Sequence, residues 1–240
     1  MTKSDNDERE QRILDVAADL MVHYGYDKTT VSDIAREAGI SKGAVYLHFD
    51  SKEALFEALI IRELQTYTAI WLDRLEADEA GGTMAGLYKN SLYAMNSRPF
   101  MMALFRRDAR VLGNYLRKPG NLFHRFRQQQ AESERYVFVK LMQEAGAIRQ
   151  DLDARVIAHV MDILAYGLVG MEDVLPQGDI PPLADVIEGI AAIMDRALTP
   201  EGGGNSEAGK AIVRQIVEQG RQRLDNMSLV NYQELTHSQE

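Results

Sequence analysis

The stretch that most constrains this chain runs Thr30-Val-Ser-Asp-Ile-Ala-Arg-Glu-Ala-Gly-Ile-Ser-Lys-Gly-Ala-Val-Tyr-Leu-His-Phe-Asp-Ser-Lys-Glu-Ala-Leu55. Ile34, Ala35 and Ala38 are spaced as one apolar helical face. Ala38-Gly39-Ile40 punctuates the pattern, and Gly39 supplies a turn conformation that other residues would strain. Ser41 then opens a second short helix whose Val45, with Ile40 and Phe49, closes a small shared core. The spacing predicts helices over about 31–38 and 42–48, with Thr30 and Ser41 as N-caps and Asp33 at N3 of the first. Ala35 is small enough for the two to cross closely.

The second short helix has an outer face that a core cannot use. Lys42, Gly43, Tyr46 and His48 offer a cation, a bare backbone, a phenol and an imidazole, with Ser41 at the start. Such a face suits a major groove: small residues admit the backbone, hydroxyls donate to phosphates, and a lysine reaches a phosphate or a guanine. The bland alternative, a packed three-helix unit with a solvated face, has to explain a motif of this length by chance.

The segment resembles the helix-turn-helix of the tetracycline-repressor (TetR) family of bacterial regulators. The resemblance rests on Thr30-Val31, Ile34-Ala35, Ala38-Gly39-Ile40-Ser41, Gly43, Val45-Tyr46, His48-Phe49 and Ser51 to Leu55, with Ala17, Tyr24-Gly25-Tyr26 and Thr29 before them. It covers about the first 60 residues; beyond them, only the length and helical character are similar. It implies phosphate contacts by Thr29, Thr30, Tyr46, His48 and Lys52, and base or groove contacts by Arg36, Ser41, Lys42, Gly43 and Ala44. The sequence leaves open whether the apolar Leu47 packs inward or meets a thymine methyl. The implied function is a sequence-specific transcriptional regulator, a ligand-released repressor binding a palindromic double-stranded DNA operator as a homodimer. A ligand-activated regulator and a protein-interaction module are the other readings left open.

Apolar spacing is helical through the rest of the chain, with no sustained period-two alternation, so an all-α fold is expected. The patterns place helices at about 8–24, 52–77, 83–96, 99–116, 121–146, 152–175, 181–198 and 207–225. Either Asp50 or Ser51 is expected to cap the helix that starts near 52. The expected organisation is a DNA-binding domain at 1–55, a helical ligand-binding and dimerisation domain at 56–200, and a Gly-rich linker with an extension helix at 201–240, its last dozen residues frayed. Ile157, Met161, Leu164, Leu168, Met171, Ile190, Ile193 and Met194 supply apolar surface for a dimer interface, and Gly167, Gly170 and Gly189 would allow close helix approach. The same residues would equally serve the subunit's own core.

The middle of the chain is rich in aromatic residues and methionine, which line adaptable pockets as well as ordinary cores. The candidate ligand-binding set is Phe100, Met101, Phe105, Arg106, Arg110, Tyr115, Phe123, Met142 and Tyr166. Residues 98–127 hold eight Lys/Arg and one acid, about +7, in a chain of net charge −9. A hydrophobic or anionic effector facing Arg106, Arg110 and Arg117 is the sharper reading. Cations paired with acids elsewhere in an acidic chain is the plainer one.

Composition narrows the remaining classes. With no cysteine, thiolate metal sites and cysteine nucleophiles are excluded, and the five histidines lack metal-ligand spacing. No nucleotide-binding or hydrolase motif occurs, so neither catalytic residues, metal nor cofactor is expected. No long apolar run or signal-like segment is present, and a cytoplasmic, non-membrane protein is expected. Residues 1–60 hold seven Lys/Arg against twelve Asp/Glu. That balance predicts few phosphate contacts per subunit and weak affinity for non-specific DNA.

Overall fold

The computed structural model describes residues 3–128, 132–170 and 176–237. Every regular element among them is helical: α1 (Lys3–Tyr24), α2 (Val31–Glu37), α3 (Lys42–Tyr46), α4 (Lys52–Ala77), α5 (Met84–Asn96), α6 (Pro99–Arg106), α7 (Ala109–Leu112), α8 (Leu122–Gln128), α9 (Glu134–Glu144), α10 (Ala154–Gly170), α11 (Leu183–Leu198) and α12 (Ser206–His237), with short 3₁₀ turns at Gly113–Arg117 and Gln177–Asp179. The chain divides into two compact units, Met1–Tyr67 with Asn96–Ala131, and Thr68–Met95 with Glu132–Glu240.

The first unit is built on the helix-turn-helix. Gly25 ends α1 with φ +85°, and its N–H donates to the Met21 carbonyl at 2.9 Å. Thr30 and Asp33 form a reciprocal capping box on α2, and Ser41 accepts the Ala44 N–H at 3.1 Å to start α3. Gly39 turns the chain between them at φ +68°. Ser51 caps α4, its hydroxyl accepting the Ala54 N–H at 3.0 Å. Ile13, Ala17, Met21, Ile34, Val45, Phe49, Leu55 and Leu59 are buried in its core.

The segment 96–131 joins this same unit. Its predicted single helix at 99–116 is in fact three pieces. Arg107 takes a left-handed conformation at φ 50°, Asp108 caps α7 by accepting the Arg110 N–H, and Gly113 turns again at φ 52°. These breaks let the chain lie against the α1–α2 turn. The Tyr26 N–H donates to the Val111 carbonyl at 2.7 Å, and Asp27 Oδ2 accepts the Asn114 N–H at 3.0 Å. An aromatic cluster fills the junction, with Phe56 ring centroids 4.7 Å from Tyr26, 4.8 Å from Tyr115 and 5.9 Å from Phe100. The helix expected at 121–146 is also interrupted: Glu132 and Ser133 are not helical, and Ser133 caps a new helix by accepting the Tyr136 N–H. Periodicity misses both breaks because every fragment keeps its apolar spacing.

In the second unit α9 packs on α10 and α12. Leu75, Met84, Leu87, Val139, Met142, Ile148, Ile157, Met161, Ile187, Met194, Ile212 and Val213 form its buried core. The extension belongs to this core. Gly209, which weakens a helix on propensity alone, is required by contact: a Cβ there would lie 1.9 Å from the Gly82 carbonyl oxygen. Ser206 accepts the Gly82 N–H and donates to the Glu79 carbonyl, while Arg214 grips Glu76 with two bonds of 2.7 and 2.8 Å. α12 also continues to His237, through most of the stretch expected to fray.

Candidate nucleic-acid interface

α3 turns Val45 inward and leaves Ser41, Lys42, Gly43 and Tyr46 exposed, with Ala44 half-buried. The Ser41 oxygen is occupied by its capping bond, but its O–H hydrogen remains to donate outward. Lys42 Nζ lies 5.9 Å from the Tyr46 ring centroid, so cation and phenol stand together. Arg36 extends from α2 with 72% of its side chain exposed, oriented by a 2.9 Å bond to Asp33. Thr30 is exposed; its hydroxyl donates to Asp33 Oδ2 at 2.6 Å while accepting the Asp33 N–H. These bonds from Thr30, then Arg36, hold the Asp33 carboxyl below its ordinary pKa. Lys52, in the first turn of α4, sits 4.1 Å above the Tyr26 ring, and burial lowers its pKa.

Two of the expected phosphate-contacting side chains turn inward. Thr29 is buried, and its hydroxyl donates to the Gly25 carbonyl at 2.9 Å, bracing the turn. The His48 side chain is 3% exposed, with Nδ1 3.5 Å from Glu10 Oε2. Leu47 takes the opposite course and stands out at 84% exposure. The open question of its direction is thereby answered, which periodicity could not do at the end of a five-residue helix.

The candidate ligand residues are divided between the units. Phe100, Met101 and Tyr115 are buried in the first, where Phe105, Arg106 and Phe123 are half-buried. Tyr115 and Phe123 rings pack 6.1 Å apart. The Tyr115 hydroxyl donates to Glu57 at 2.8 Å and accepts the Leu122 N–H at 2.9 Å; burial drives its pKa strongly upward. Arg110 lies on the surface beside Asp108. Met142 is buried in the second unit, and Tyr166 is 70% exposed there.

Within the basic run Arg98 pairs with Glu63, Arg110 with Asp108, Lys118 with Glu53 and Arg125 with Glu57. Arg107 stands 5.8 Å from the Phe123 ring. Much of this positive run therefore serves the first unit's own packing.

Of the expected interface residues, Ile193 faces outward as expected and others turn inward. Ile157, Met161 and Met194 fill the second unit's own core, whereas Val156, Val160, Ile163 and Tyr166 of α10 and Ile193 of α11 face outward. Leu164, Leu168 and Ile190 are half-buried, and Met171 lies outside the described residues. Val156, Val160 and Ile163 border the polar stripe of Arg155, His159 and Asp162, so the outward apolar stripe of α10 lies one residue from the expected one. Gly167 and Gly189 have open space above them.

Among the described residues no His/Asp/Glu group could hold a metal ion, and no helix is long and apolar enough to cross a membrane.

Two short helices joined by a tight turn, the second presenting cations and hydroxyls outward, define a helix-turn-helix DNA-binding protein. Residues 13–59 match the family described as bacterial regulatory proteins, tetR family. The chain therefore carries the N-terminal domain of that family of transcriptional regulators. It is 25% identical over 189 residues to the HTH-type transcriptional repressor Rv1474c of Mycobacterium tuberculosis, covering 78% of this chain and 89% of that one. It is 28% identical over 160 residues to the HTH-type transcriptional repressor KstR2 of Mycolicibacterium smegmatis, covering 65% and 75%. Among solved structures, the fold is similar to a protein of unknown function from Rhodococcus sp. RHA1 (TM-score 0.59, 22% identity, 79% of this chain and 95% of that one). It is also similar to a gamma-butyrolactone receptor described as ArpA-like (TM-score 0.53, 21% identity, 89% and 98%).

Proposed function

We propose that this protein is a transcriptional repressor that binds a palindromic operator as a homodimer and leaves it on binding a small molecule. The observation that carries the DNA reading is the outer face of α3, where Ser41, Lys42, Gly43 and Tyr46 are exposed beside Arg36. Repression agrees with the relatives Rv1474c and KstR2, both HTH-type transcriptional repressors. A five-residue recognition helix reads few bases, and two copies about 34–36 Å apart would read a palindrome. The outward apolar stripes of α10 and α11, with Gly167 and Gly189 open among them, support self-association through those helices. The candidate effector contacts are Phe100, Met101, Phe105, Arg106, Tyr115 and Phe123 in one unit and Met142 in the other; Arg110 and Tyr166, on exposed faces, are the weaker candidates.

The test is titration against DNA from upstream of the protein's own gene, beside a scrambled duplex, at two salt concentrations. Tight binding to the upstream DNA alone is expected, with loss of that binding in Tyr46→Ala and a salt slope reduced by about one in Lys42→Ala. Equal weak binding to both duplexes, indifferent to either substitution, would overturn the DNA reading. Release of the operator by a small molecule would then identify the effector.

A further inference from the structure

Leu47 is the most exposed large apolar side chain among the described residues. It caps the C-terminal end of α3 with helical angles, φ −72° and ψ −20°, and its N–H donates to the Gly43 carbonyl at 3.2 Å. Its side chain therefore shares a helical face with Gly43 and Ala44, four and three residues earlier. That face is low and open: a Cβ on Gly43 would meet only Ser41 Oγ, at 3.9 Å. Val45 and Phe49 already supply the inward contacts of this segment, so Leu47 adds nothing to the core and exposes its isobutyl group to water. Ser41, Lys42 and Tyr46 of the same segment are exposed as well. An apolar strip on a short helix that also exposes a cation and two hydroxyls suits the floor of a major groove flanked by phosphates. The one apolar group a base pair presents in that groove is the thymine C5-methyl.

We propose that Leu47 is a specificity-determining residue that packs on a thymine methyl in the major groove, so that each operator half-site carries a required thymine. The proposal rests on the DNA-binding reading above and assigns one base within it. The Gly43–Ala44 surface brings the helix close enough for the contact, and Lys42 and Tyr46 fix the helix against the backbone.

The experiment separates the two. Full-length protein selects a duplex from a random-sequence pool, and each thymine of the enriched duplex is replaced in turn by deoxyuridine, which lacks only the methyl. Affinities are measured for the native protein, Leu47→Ala and Leu47→Met. One uracil position per half-site is expected to weaken native binding about four- to tenfold, as burial of one methyl implies. The same uracil should leave Leu47→Ala unchanged and still weaken Leu47→Met, whose apolar reach is similar. Tight native binding with no uracil-sensitive position overturns the proposal while leaving the DNA reading intact. So does an alanine variant as uracil-sensitive as the native protein. Failure to enrich any sequence would overturn the DNA reading itself, and this assignment with it.

Discussion

The guanidinium of Arg98 holds the fully buried carboxylate of Glu63 through two bonds, 2.6 and 3.1 Å long. Arg62 approaches the same carboxylate at 2.9 Å and reaches Asp15 at 2.6 Å, so α4 is tied to α1 and to the residue that opens α6. Arg98→Ala leaves a buried charge with one partner, and a loss on the order of 2–4 kcal/mol is expected in urea denaturation. The double variant Glu63→Leu/Arg98→Leu should lose less, because no buried charge is stranded. A double variant that is the less stable of the two would contradict this account.

Two glycines with positive φ should respond differently to alanine. At Gly25 (φ +85°) a Cβ would lie 2.2 Å from the Arg110 carbonyl oxygen, which is backbone and cannot swing away. At Gly39 (φ +68°) nothing lies within 4 Å. Gly39→Ala should cost only the conformational penalty, about 1 kcal/mol. Gly25→Ala adds a backbone collision and should lower the melting temperature much further. Equal melting temperatures would refute the contact.

The exposed stripe on α10 gives the dimer proposal a direct test. Ile163 is 57% exposed and sits one turn from Val160. Ile163→Asp should leave the subunit fold intact by circular dichroism and raise the dimer dissociation constant roughly thirtyfold or more in sedimentation, if the stripe is the centre of the interface. An unchanged association constant would move the interface elsewhere.

Removing everything after Pro200 takes away the buried Ile212 and Val213 and the Arg214–Glu76 pair. The expected cost to the second unit is about 3–6 kcal/mol from two aliphatic side chains, visible as a lower thermal midpoint. An identical melt would make α12 an accessory.

Two buried tyrosines set an alkaline limit. Burial raises Tyr88 from 10.0 to about 12 and raises Tyr115 further. The folded state therefore favours their protonated forms. The stability this linkage supplies is whole below pH 10 and is lost as pH climbs from there through about 12. Tyrosinate absorbance of the native protein should lag behind that of the unfolded chain over this range, and Tyr88→Phe should remove part of the lag.

The helix-turn-helix was legible because its information is local. Thr30, Asp33, Gly39, Ser41 and Ser51 act on backbone groups within three or four residues of themselves, so residue type at fixed spacing specifies caps, turn and short helices together. The all-helical class followed from apolar period for the same reason.

Tertiary packing decided the rest. Whether Thr29 and His48 faced solvent depended on acceptors at Gly25 and Glu10, and Leu47 pointed outward because Val45 and Phe49 had already filled the interior. The breaks at Arg107 and Gly113 answer to Tyr26, Asp27 and Arg110, partners far away in sequence or invisible to periodicity. On α10 apolar residues run right up to the polar stripe of Arg155, His159 and Asp162, and the neighbouring helices took Ile157 and Met161 into the core and left Val156, Val160 and Ile163 outside. A single sequence encodes backbone capping directly, but it encodes burial only through contacts that exist once the chain has folded.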